Sequence, residues 1–243
     1  MKVEVIPNES QIKIMPVKFE CDKSLGDDIP KPLPSSSFFM YVCGRPASGK
    51  STLASNLLCS KEFYRKRFDN IYLVIPPNSL ASLPKRHMYH KHIETNPDFH
   101  YSDLNSETLN EILQRLKKSR SEGETSLLVI DDMLHALKRT DVLFLMAEIA
   151  ANRRHLKTSV MVLSQVWNSL PLIVRKQITH TFVWRCSKKE FNSLYEEQFD
   201  QITRDEAEAI CAKAWDDAHA FLFIDCINNK YYDSEFAELK LIA

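Results

Sequence analysis

The chain has 243 residues, of which 44% are hydrophobic, so it is large enough for one globular domain with appendages and too apolar for a disordered protein. Its 32 basic and 32 acidic residues give no net charge, so any binding of nucleic acid or of an anionic membrane must depend on local patches. The six cysteines form no C-x-x-C pair, which argues against a disulfide framework and indicates an intracellular protein. No apolar stretch reaches the ~20 residues of a spanning helix, and we expect neither a membrane span nor a signal peptide.

The first 35 residues differ in composition from the rest of the chain. They contain five prolines and run into the segment IPKPLPSSS, a pattern typical of an extended, stiff linker with little helix potential. We predict an arm over residues 1–35, with one edge strand at 3–6. A single domain is predicted to follow over residues 36–243.

From residue 38 onward, strand and helix patterns alternate. Short apolar runs predict buried strands over 38–43, 71–75, 126–130, 159–163 and 181–184. Apolar residues at helical spacing and cap signals predict helices over 50–58, 106–119 and 142–151. Because strands that alternate with helices pair in parallel, the expected fold is α/β, with a mostly parallel sheet covered by helices on both faces.

The C-terminal part has a different pattern. A capping box from Thr203 to Glu206 predicts a helix that runs to about residue 217. Two strand-like segments at 220–226 and 230–232 flank the turn residues 227–229. This arrangement predicts a β-hairpin at the edge of the sheet.

The segment 44–52 reads GRPASGKST and follows the first predicted strand directly. It fits G-x-x-x-x-G-K-[ST], a loop whose backbone N–H groups wrap a phosphate at the N-terminus of the following helix. Lys50 would reach the β- and γ-phosphates of ATP, and the Ser51 hydroxyl would bind Mg²⁺. The predicted nucleotide-binding residues are Gly44, Arg45, Pro46, Ala47, Ser48, Gly49, Lys50, Ser51 and Thr52.

Two carboxylates, Asp131 and Asp132, end the third apolar strand. Ligands of parallel sheets bind at the carboxyl ends of the strands, so Asp131 is expected beside the phosphate loop as the residue that holds Mg²⁺. Asp132 is placed to polarise a water for attack on the γ-phosphate. A turn acid or a cap for a helix that begins at Met133 is the alternative for Asp132.

Three further residues are candidates for catalysis. Gln165 ends the fourth apolar strand, where its amide would contact the γ-phosphate and the attacking water, although a solvated loop glutamine has the same spacing. Arg153 and Arg154 end a helix. Arginine in that position caps the helix dipole, or it reaches the nucleotide of a neighbouring subunit.

Basic clusters occur at 65–67, 85–92 and 115–118, and solvated faces are the default reading of such runs. The cluster 85–92 differs because Tyr89 and three histidines interleave its charges in a predicted loop. That composition suits contact with a nucleic-acid backbone and stacking on a base. A zinc site at these histidines is weakly supported, since no cysteine lies nearby and no regular helical i, i+4 pair is evident.

Four elements of the chain occur in an order that resembles the FtsK/HerA-type ATPases. They are the phosphate loop, the strand that ends in Asp131 and Asp132, the Asn-Arg-Arg-His segment at 152–155 and the strand that ends in Gln165. The resemblance covers roughly residues 36 to 230 and is closest to the A32-like genome-packaging ATPases of poxviruses, other large DNA viruses, virophages and related transposons. It implies a RecA-like P-loop NTPase core over 36–243.

The resemblance also implies a function and partners. These are ATP hydrolysis with Mg²⁺, movement of double-stranded DNA into a preformed capsid, a homo-oligomeric ring of five or six subunits, and contact with capsid or portal-like components. The protein would then act at the virus assembly site in the host cell and associate with the virion. By motif, the metal aspartate, second acid, strand-end glutamine and arginine finger of the family correspond to Asp131, Asp132, Gln165 and either Arg153 or Arg154. Many members of the wider superfamily have Glu where this chain has Asp132, and the shorter side chain of Asp132 would need the attacking water to lie slightly nearer.

Three other functions share the phosphate loop. A P-loop kinase for a nucleotide or small molecule usually has its second carboxylate strand adjacent to the loop strand, whereas here a further strand at 71–75 intervenes in the sequence. A GTPase needs an N-K-x-D motif, and the sequence from Asn229 to Tyr232 lacks the aspartate. A non-hydrolysing ATP switch is disfavoured by Asp132 and Gln165.

Overall fold

The computed structural model describes residues 24–133 and 135–241. An eight-stranded sheet forms the centre of the domain, in the order β3-β2-β4-β5-β1-β6-β7-β8. The strands from β1 to β6 pair in parallel, whereas β7 pairs antiparallel with β6 and β8 antiparallel with β7. Their bounds are β1 Phe39–Cys43, β2 Asn70–Val74, β3 His100–Tyr101, β4 Ser126–Asp131, β5 Thr158–Ser164, β6 His180–Trp184, β7 Phe221–Asp225 and β8 Lys230–Tyr232.

Helices cover both faces of the sheet. Their bounds are α1 Lys50–Cys59, α2 Pro77–Ser82, α3 Met88–Thr95, α4 Ser106–Ser121, α5 Thr140–Asn152, α6 Leu172–Arg175, α7 Lys188–Gln198 and α8 Arg204–Ala214. The core on one face includes residues of α1 and α3, and the core on the other face includes residues of α4, α5, α7 and α8. The central strands β1, β4 and β5 are buried along their whole length, which explains their continuous apolar runs.

The predicted fold class is confirmed, as are the strands predicted from residue 38 onward, their order in the chain and the hairpin of β7 and β8 at the sheet edge. The C-terminal helix is shorter than predicted and ends at Ala214, after which Trp215 turns into the core. Helices α2, α3, α6 and α7 and the two-residue strand β3 were not predicted. Helices α2, α3 and α6 have eight residues or fewer, too short for a clear periodic signal, whereas α7 begins with a capping box of Ser187 and Glu190 that could have indicated it.

The strand β5 lies between β1 and β4, with backbone pairing on both sides. The strand that separates the phosphate-loop strand from the carboxylate strand in space is therefore the one that leads to Gln165, and not the strand at 71–75, which lies beyond β4. This order places the ends of β1, β4 and β5 side by side at one edge of the sheet.

Part of the predicted N-terminal linker packs against the domain. Leu25, Ile29 and Leu33 are buried in the core that includes α1, and the Tyr64 hydroxyl donates a hydrogen bond to the Pro34 carbonyl at 2.9 Å. The strand predicted at 3–6 lies outside the described residues. The domain boundary at residue 35 stays a prediction. No helix of the described chain is both long and apolar enough to cross a membrane.

Candidate nucleotide site

The loop between β1 and α1 depends on its two glycines. A Cβ at Gly44 would lie 2.6 Å from the Ser48 hydroxyl and 2.9 Å from the ring of Trp184, so the loop can pack against β6 only without a side chain there. Gly49 has space around it but adopts a φ of +107°, which L-residues rarely adopt. The sequence therefore folds locally into a tight turn that directs α1 away from the end of β1.

The start of α1 suits a bound phosphate. No side chain caps the N-terminus of the helix at Gly49, which leaves backbone N–H groups of the first turn available to an anion. The Ser48 hydroxyl is buried and has no hydrogen-bond partner among the described residues. An orphaned donor and an uncapped helix start are the features that a phosphate would satisfy.

Lys50 lies at the centre of this loop. Its Nζ atom donates to the carbonyls of Gly44 at 2.6 Å and Arg45 at 2.9 Å. The Lys50 side chain is half-buried. Burial lowers the pKa of Lys50, and the nearby carboxylate of Asp131 opposes that shift. A bound phosphate would therefore give the Lys50 ammonium group a charged hydrogen-bond acceptor in place of two neutral carbonyls.

Asp131 is the last residue of β4 and is buried. Burial raises the pKa of its carboxyl to about 6, the neighbouring carboxylate of Asp132 adds to the shift, and Lys50 opposes it. Asp131 and Ser51 line one cleft of about 180 Å³ together with Lys50 and Gln165. A carboxylate and a hydroxyl are oxygen ligands of the kind that Mg²⁺ prefers, so these two residues fit the predicted metal role.

Asp132 leaves the sheet with a φ of +59°, so its side chain turns away from the direction of β4. Its two carboxylate oxygens accept hydrogen bonds from two neighbouring elements: Ser79 Oγ donates to Oδ2 at 2.7 Å, and Gln165 Nε2 donates to Oδ1 at 3.0 Å. The next helical turn begins only at Ala136, so these contacts favour the site position of Asp132 over the alternative of a cap at Met133.

Ser79 belongs to the site although no sequence pattern indicated it. It lies in α2, just after β2, and β2 pairs with β4. A serine in a short polar helix carries no motif that distinguishes it from other surface serines. Only the pairing of the strands brings it next to Asp132.

The structure does not bring Arg153 and Arg154 to this cleft. Thr158 at the start of β5 donates its N–H to the Arg153 carbonyl at 2.9 Å, whereas Gln165 follows the other end of that strand, roughly 20 Å away. Arg153 is half-buried and donates from Nη1 to the Ala150 carbonyl at 3.0 Å, as a helix-ending residue does. The side chain of Arg154 is exposed.

The basic segment 85–92 is not a loop throughout, because α3 begins at Met88 and the His87 side chain accepts from the Tyr89 N–H. Tyr89 is buried, so the prediction that it stacks on a base was wrong. His87 and His92 bond to the carbonyls of Ser51 and Ile71, and no cluster of three metal-ligating side chains was found among the described residues. Three cations of the segment remain exposed: Lys85, Arg86 and Lys91.

A second cleft, of about 510 Å³, opens on the other side of the phosphate loop. Its walls include Arg45, Trp184 and the segment around His219. The Trp184 indole donates to the His219 carbonyl at 2.9 Å, and the His219 ring lies 3.4 Å from the Ser48 carbonyl. The sequence did not indicate this cleft, since its parts come from β1, β6 and the turn before β7.

The parallel sheet, the glycine loop between β1 and α1, and the acids that end β4 define a P-loop NTPase. The family model for the poxvirus A32 protein matches residues 30–210, well over half of the chain, so the chain belongs to that family. The predicted resemblance to A32-like packaging ATPases is confirmed. Comparison with curated protein sequences gives no match.

Two solved structures of viral proteins have a similar fold. One is B204, the DNA-packaging ATPase from Sulfolobus turreted icosahedral virus, with 18% identity, a TM-score of 0.60, and coverage of 85% of this chain and 98% of the other. The second is the genome packaging NTPase B204 from Sulfolobus turreted icosahedral virus 2 in complex with ATP-gammaS, with 17% identity, a TM-score of 0.57, and coverage of 84% and 98%. At this identity the similarity concerns the fold.

Proposed function

We propose that this protein is an ATP-hydrolysing motor that moves double-stranded DNA into a preformed viral capsid. The observation that carries the proposal is Asp132, held between Ser79 and Gln165 at the edge of the phosphate-loop cleft. A carboxylate and an amide in that position suit the activation of water, which hydrolysis needs and transfer to a small acceptor does not. Membership of the A32 family and the packaging role named for B204 support the biological context.

The residues divide the reaction among them. The first turn of α1 and Ser48 bind the phosphates, and Lys50 leaves the carbonyls of Gly44 and Arg45 to contact them. Ser51 and Asp131 would hold Mg²⁺, which would neutralise charge on the phosphates when bound. Asp132 accepts a proton from the attacking water and Gln165 orients that water.

The second cleft is the position that we propose for the base of ATP. It adjoins the phosphate loop on the side away from Asp131 and Asp132, and the Trp184 and His219 side chains provide aromatic surface near it. A nucleotide with its phosphates on α1 would then place its γ-phosphate toward the acids and its base toward β6.

Hydrolysis in this proposal requires a ring of five or six subunits. Arg154, the more exposed of the two arginines, reaches the nucleotide of the neighbouring subunit, while Arg153 ends α5. Their distance from the cleft of their own subunit favours action across an interface over action within one chain. A positive charge supplied in this way stabilises the transition state.

Duplex DNA is proposed to contact the exposed Lys85, Arg86 and Lys91, of which the first two follow shortly after Leu83 in the wall of the nucleotide cleft. These cations would bind the phosphate backbone without reading sequence. The ring would also contact capsid or portal-like components at the assembly site in the host cell, and remain with the virion.

The testing experiment is the rate of ATP hydrolysis with Mg²⁺, measured with and without double-stranded DNA of unrelated sequences. We expect hydrolysis that DNA stimulates, and stimulation that does not depend on DNA sequence. Turnover that appears only with a nucleotide or small-molecule acceptor would establish a kinase instead. ATP binding without turnover in either condition would establish a switch.

A further inference from the structure

The exit turn of β5, residues 166–169, is drawn into the core by hydrogen bonds from two other elements. Tyr41 in β1 is buried, and its hydroxyl donates to the carbonyls of Val166 and Trp167, at 3.0 Å from each. Glu190 in the first turn of α7 accepts from the Trp167 N–H, with its Oε1 atom at 3.1 Å. The exit turn directly follows the glutamine that is proposed to orient the attacking water.

We propose that Tyr41 and Glu190 are positioning residues for hydrolysis, which fix the Gln165 amide beside Asp132 by holding the exit turn. Both act through the backbone that follows Gln165, and neither contacts the reacting atoms. The inference rests on the proposed function, because that function assigns Gln165 to the attacking water. It adds two residues that neither the phosphate-loop pattern nor the acids of β4 indicate.

Gln165 lies just beyond the part of the sheet that strand pairing holds. The pairing of β5 with β1 and β4 extends only as far as Ser164. The Gln165 side chain is half-buried and donates from Nε2 to Asp132 Oδ1 at 3.0 Å. An amide that orients water must be held closely, since a displacement of about 1 Å can lower a rate about 100-fold. The restraint on the far side of Gln165 therefore has to come from the exit turn.

The exit turn directs polar backbone atoms into the core, where they need partners. Besides the bonds from Tyr41, the Val166 carbonyl accepts from the Ser169 hydroxyl, and the Val166 N–H donates to Ser164 Oγ at 3.2 Å. The rings of Tyr41 and Trp167 pack together with 5.2 Å between their centroids. A buried backbone group that loses its partner is costly, so these bonds favour one arrangement of the turn.

Glu190 connects the exit turn to the start of α7. Its Oε2 atom accepts from the N–H of Ser187 at 3.1 Å and from the Ser187 hydroxyl at 2.7 Å, which leaves Oε1 for the Trp167 N–H. Burial opposes ionisation, but the hydrogen bonds from Ser187 and Trp167 outweigh it and keep the pKa of the Glu190 carboxyl below its ordinary value. The Trp167 N–H therefore donates to a charged acceptor, which gives a stronger bond than a neutral one.

The test compares kcat and the Kd of a fluorescent ATP analogue in the parent chain and in Tyr41→Phe, which removes a hydroxyl and keeps the ring. We expect kcat to fall about tenfold while Kd stays within about twofold, because Gln165 moves and the phosphate loop does not. Tyr64→Phe is the matched control, since this buried hydroxyl also donates to a backbone carbonyl, that of Pro34, on the other face of the sheet. It should lose similar stability and keep the parental kcat.

Glu190 has its own variants and its own control. Glu190→Ala should lower kcat about tenfold, whereas Glu190→Gln should recover most of the rate, because its side-chain oxygen can still accept from the Trp167 N–H. The capping box of Thr203 and Glu206 at the start of α8 has the same internal hydrogen bonds. Glu206→Ala should therefore cost similar stability and leave kcat at the parental value.

Dependence on Gln165 separates positioning from a general weakening of the fold. Gln165→Ala alone should lower kcat, and the addition of Tyr41→Phe should lower it no further, since the group that Tyr41 positions is already gone. An equal further loss in this background, or a parental kcat in Tyr41→Phe, would overturn the role of Tyr41. A parental kcat in Glu190→Ala, or no recovery in folded Glu190→Gln, would overturn that of Glu190. If Tyr41→Phe failed to fold, the Glu190 series would decide the proposal.

Crystal structures of the nucleotide-free parent and of Tyr41→Phe give a readout that does not depend on hydrolysis. In the variant we expect Gln165 Nε2 to be displaced by about 1 Å and to lie outside hydrogen-bond distance of Asp132 Oδ1. An amide in the parental position would overturn the proposal. Absence of ATP hydrolysis in the parent would contradict the proposed function, while the two structures would still decide whether Tyr41 fixes Gln165.

Discussion

The strands of the central sheet end at a carboxyl edge and begin at an amino edge. Both edges carry titratable residues, which face an open cleft at the carboxyl edge and are buried at the amino edge. At the carboxyl edge, Asp131, Asp132 and Lys50 face an open cleft. At the amino edge, Thr179, His180 and Asp225 are buried, although Asp225 belongs to an antiparallel strand that returns to this edge. The residues at the carboxyl edge can contact a ligand in the cleft. The residues at the amino edge form their hydrogen bonds and ion pairs with neighbouring residues of the chain.

The amino-edge cluster shows why titratable residues in proximity do not make a site. His180 Nδ1 lies 2.9 Å from Thr179 Oγ1, and its Nε2 atom lies 3.8 Å from Asp225 Oδ1. The Asp225 carboxylate also accepts from the N–H groups of Ile227 and Asn228, which shapes the hairpin turn. The imidazole stacks on Phe223 at 5.8 Å. These contacts stabilise the hairpin, and they occupy the polar atoms of the buried cluster.

The largest expected effect is at the carboxyl edge. Lys50→Ala should abolish detectable ATP turnover, because the charge that contacts the phosphates is lost. The fold should persist, since Nζ bonds only to two loop carbonyls. Steady-state hydrolysis and thermal unfolding of the variant test this, and a parental rate would refute the nucleotide site.

Arg154 lies at the amino edge and is the residue there that we propose to act in catalysis. Arg154→Ala should reduce turnover about 1,000-fold in assembled rings, because the charge it lends to the neighbouring site is lost. Mixing this variant with Lys50→Ala should restore part of the activity, since mixed rings pair an intact loop with an intact arginine.

The matched control for this experiment is Arg153→Ala, which should affect stability more than turnover. No recovery in rings verified to be mixed would return Arg154 to the role of a helix-ending residue. The parental rate should also rise with protein concentration.

Substitutions of the two acids at the carboxyl edge should change different quantities, kcat for Asp132 and nucleotide binding for Asp131. Asp132→Asn should lower kcat about 100-fold while ATP still binds, because this carboxylate acts on the water. Asp131→Asn should instead weaken Mg²⁺-dependent nucleotide binding, since this residue faces the metal. Titration with a fluorescent ATP analogue beside hydrolysis rates distinguishes them. Parental kcat in Asp132→Asn would remove the base assignment.

The amino edge predicts how stability depends on pH. Burial is the main reason that the pKa of His180 falls from 6.5 to about 4, with Arg153 adding to the shift and Asp225 opposing it. Between these values the unfolded chain binds the proton and the folded chain does not, so stability falls as pH drops from 6.5 to 4. The loss is on the order of 3 kcal/mol.

Denaturant unfolding at several pH values measures this slope. His180→Asn should flatten it between pH 4 and 6.5, whereas His155→Asn, an exposed histidine on the same side of the domain, should leave it unchanged. Equal slopes in the parent and His180→Asn would mean that other groups govern acid unfolding.

The smallest expected effect concerns the basic surface. Neutralising Lys85, Arg86 and Lys91 should weaken DNA binding roughly tenfold and reduce the slope of log K against log salt by up to about 3. Neutralising Lys117, Lys118 and Arg120 on α4 removes the same charge from the opposite face and should do neither. Equal effects of the two triple variants would identify both clusters as solvated faces.

Local patterns in the sequence were enough for the fold class and the nucleotide loop. Apolar runs and helical spacing depend on neighbouring residues, so they predicted the main strands, α1, α4, α5 and the C-terminal hairpin. The glycine loop could be identified locally, because its whole pattern lies within the nine residues 44–52. The position of Asp131 followed from a general property of parallel sheets, that strand ends meet at one edge.

Only the tertiary structure decided which residues meet across long distances in the chain. Ser79 reaches Asp132 because β2 pairs with β4. Tyr89 is buried because α3 packs its side chain against the core, although its neighbours in the sequence are charged. Strand order, which places β5 between β1 and β4, results from the packing of whole elements and has no local signature. The sequence therefore determined the chemistry available at the nucleotide site, while the order of the strands determined which side chains meet there.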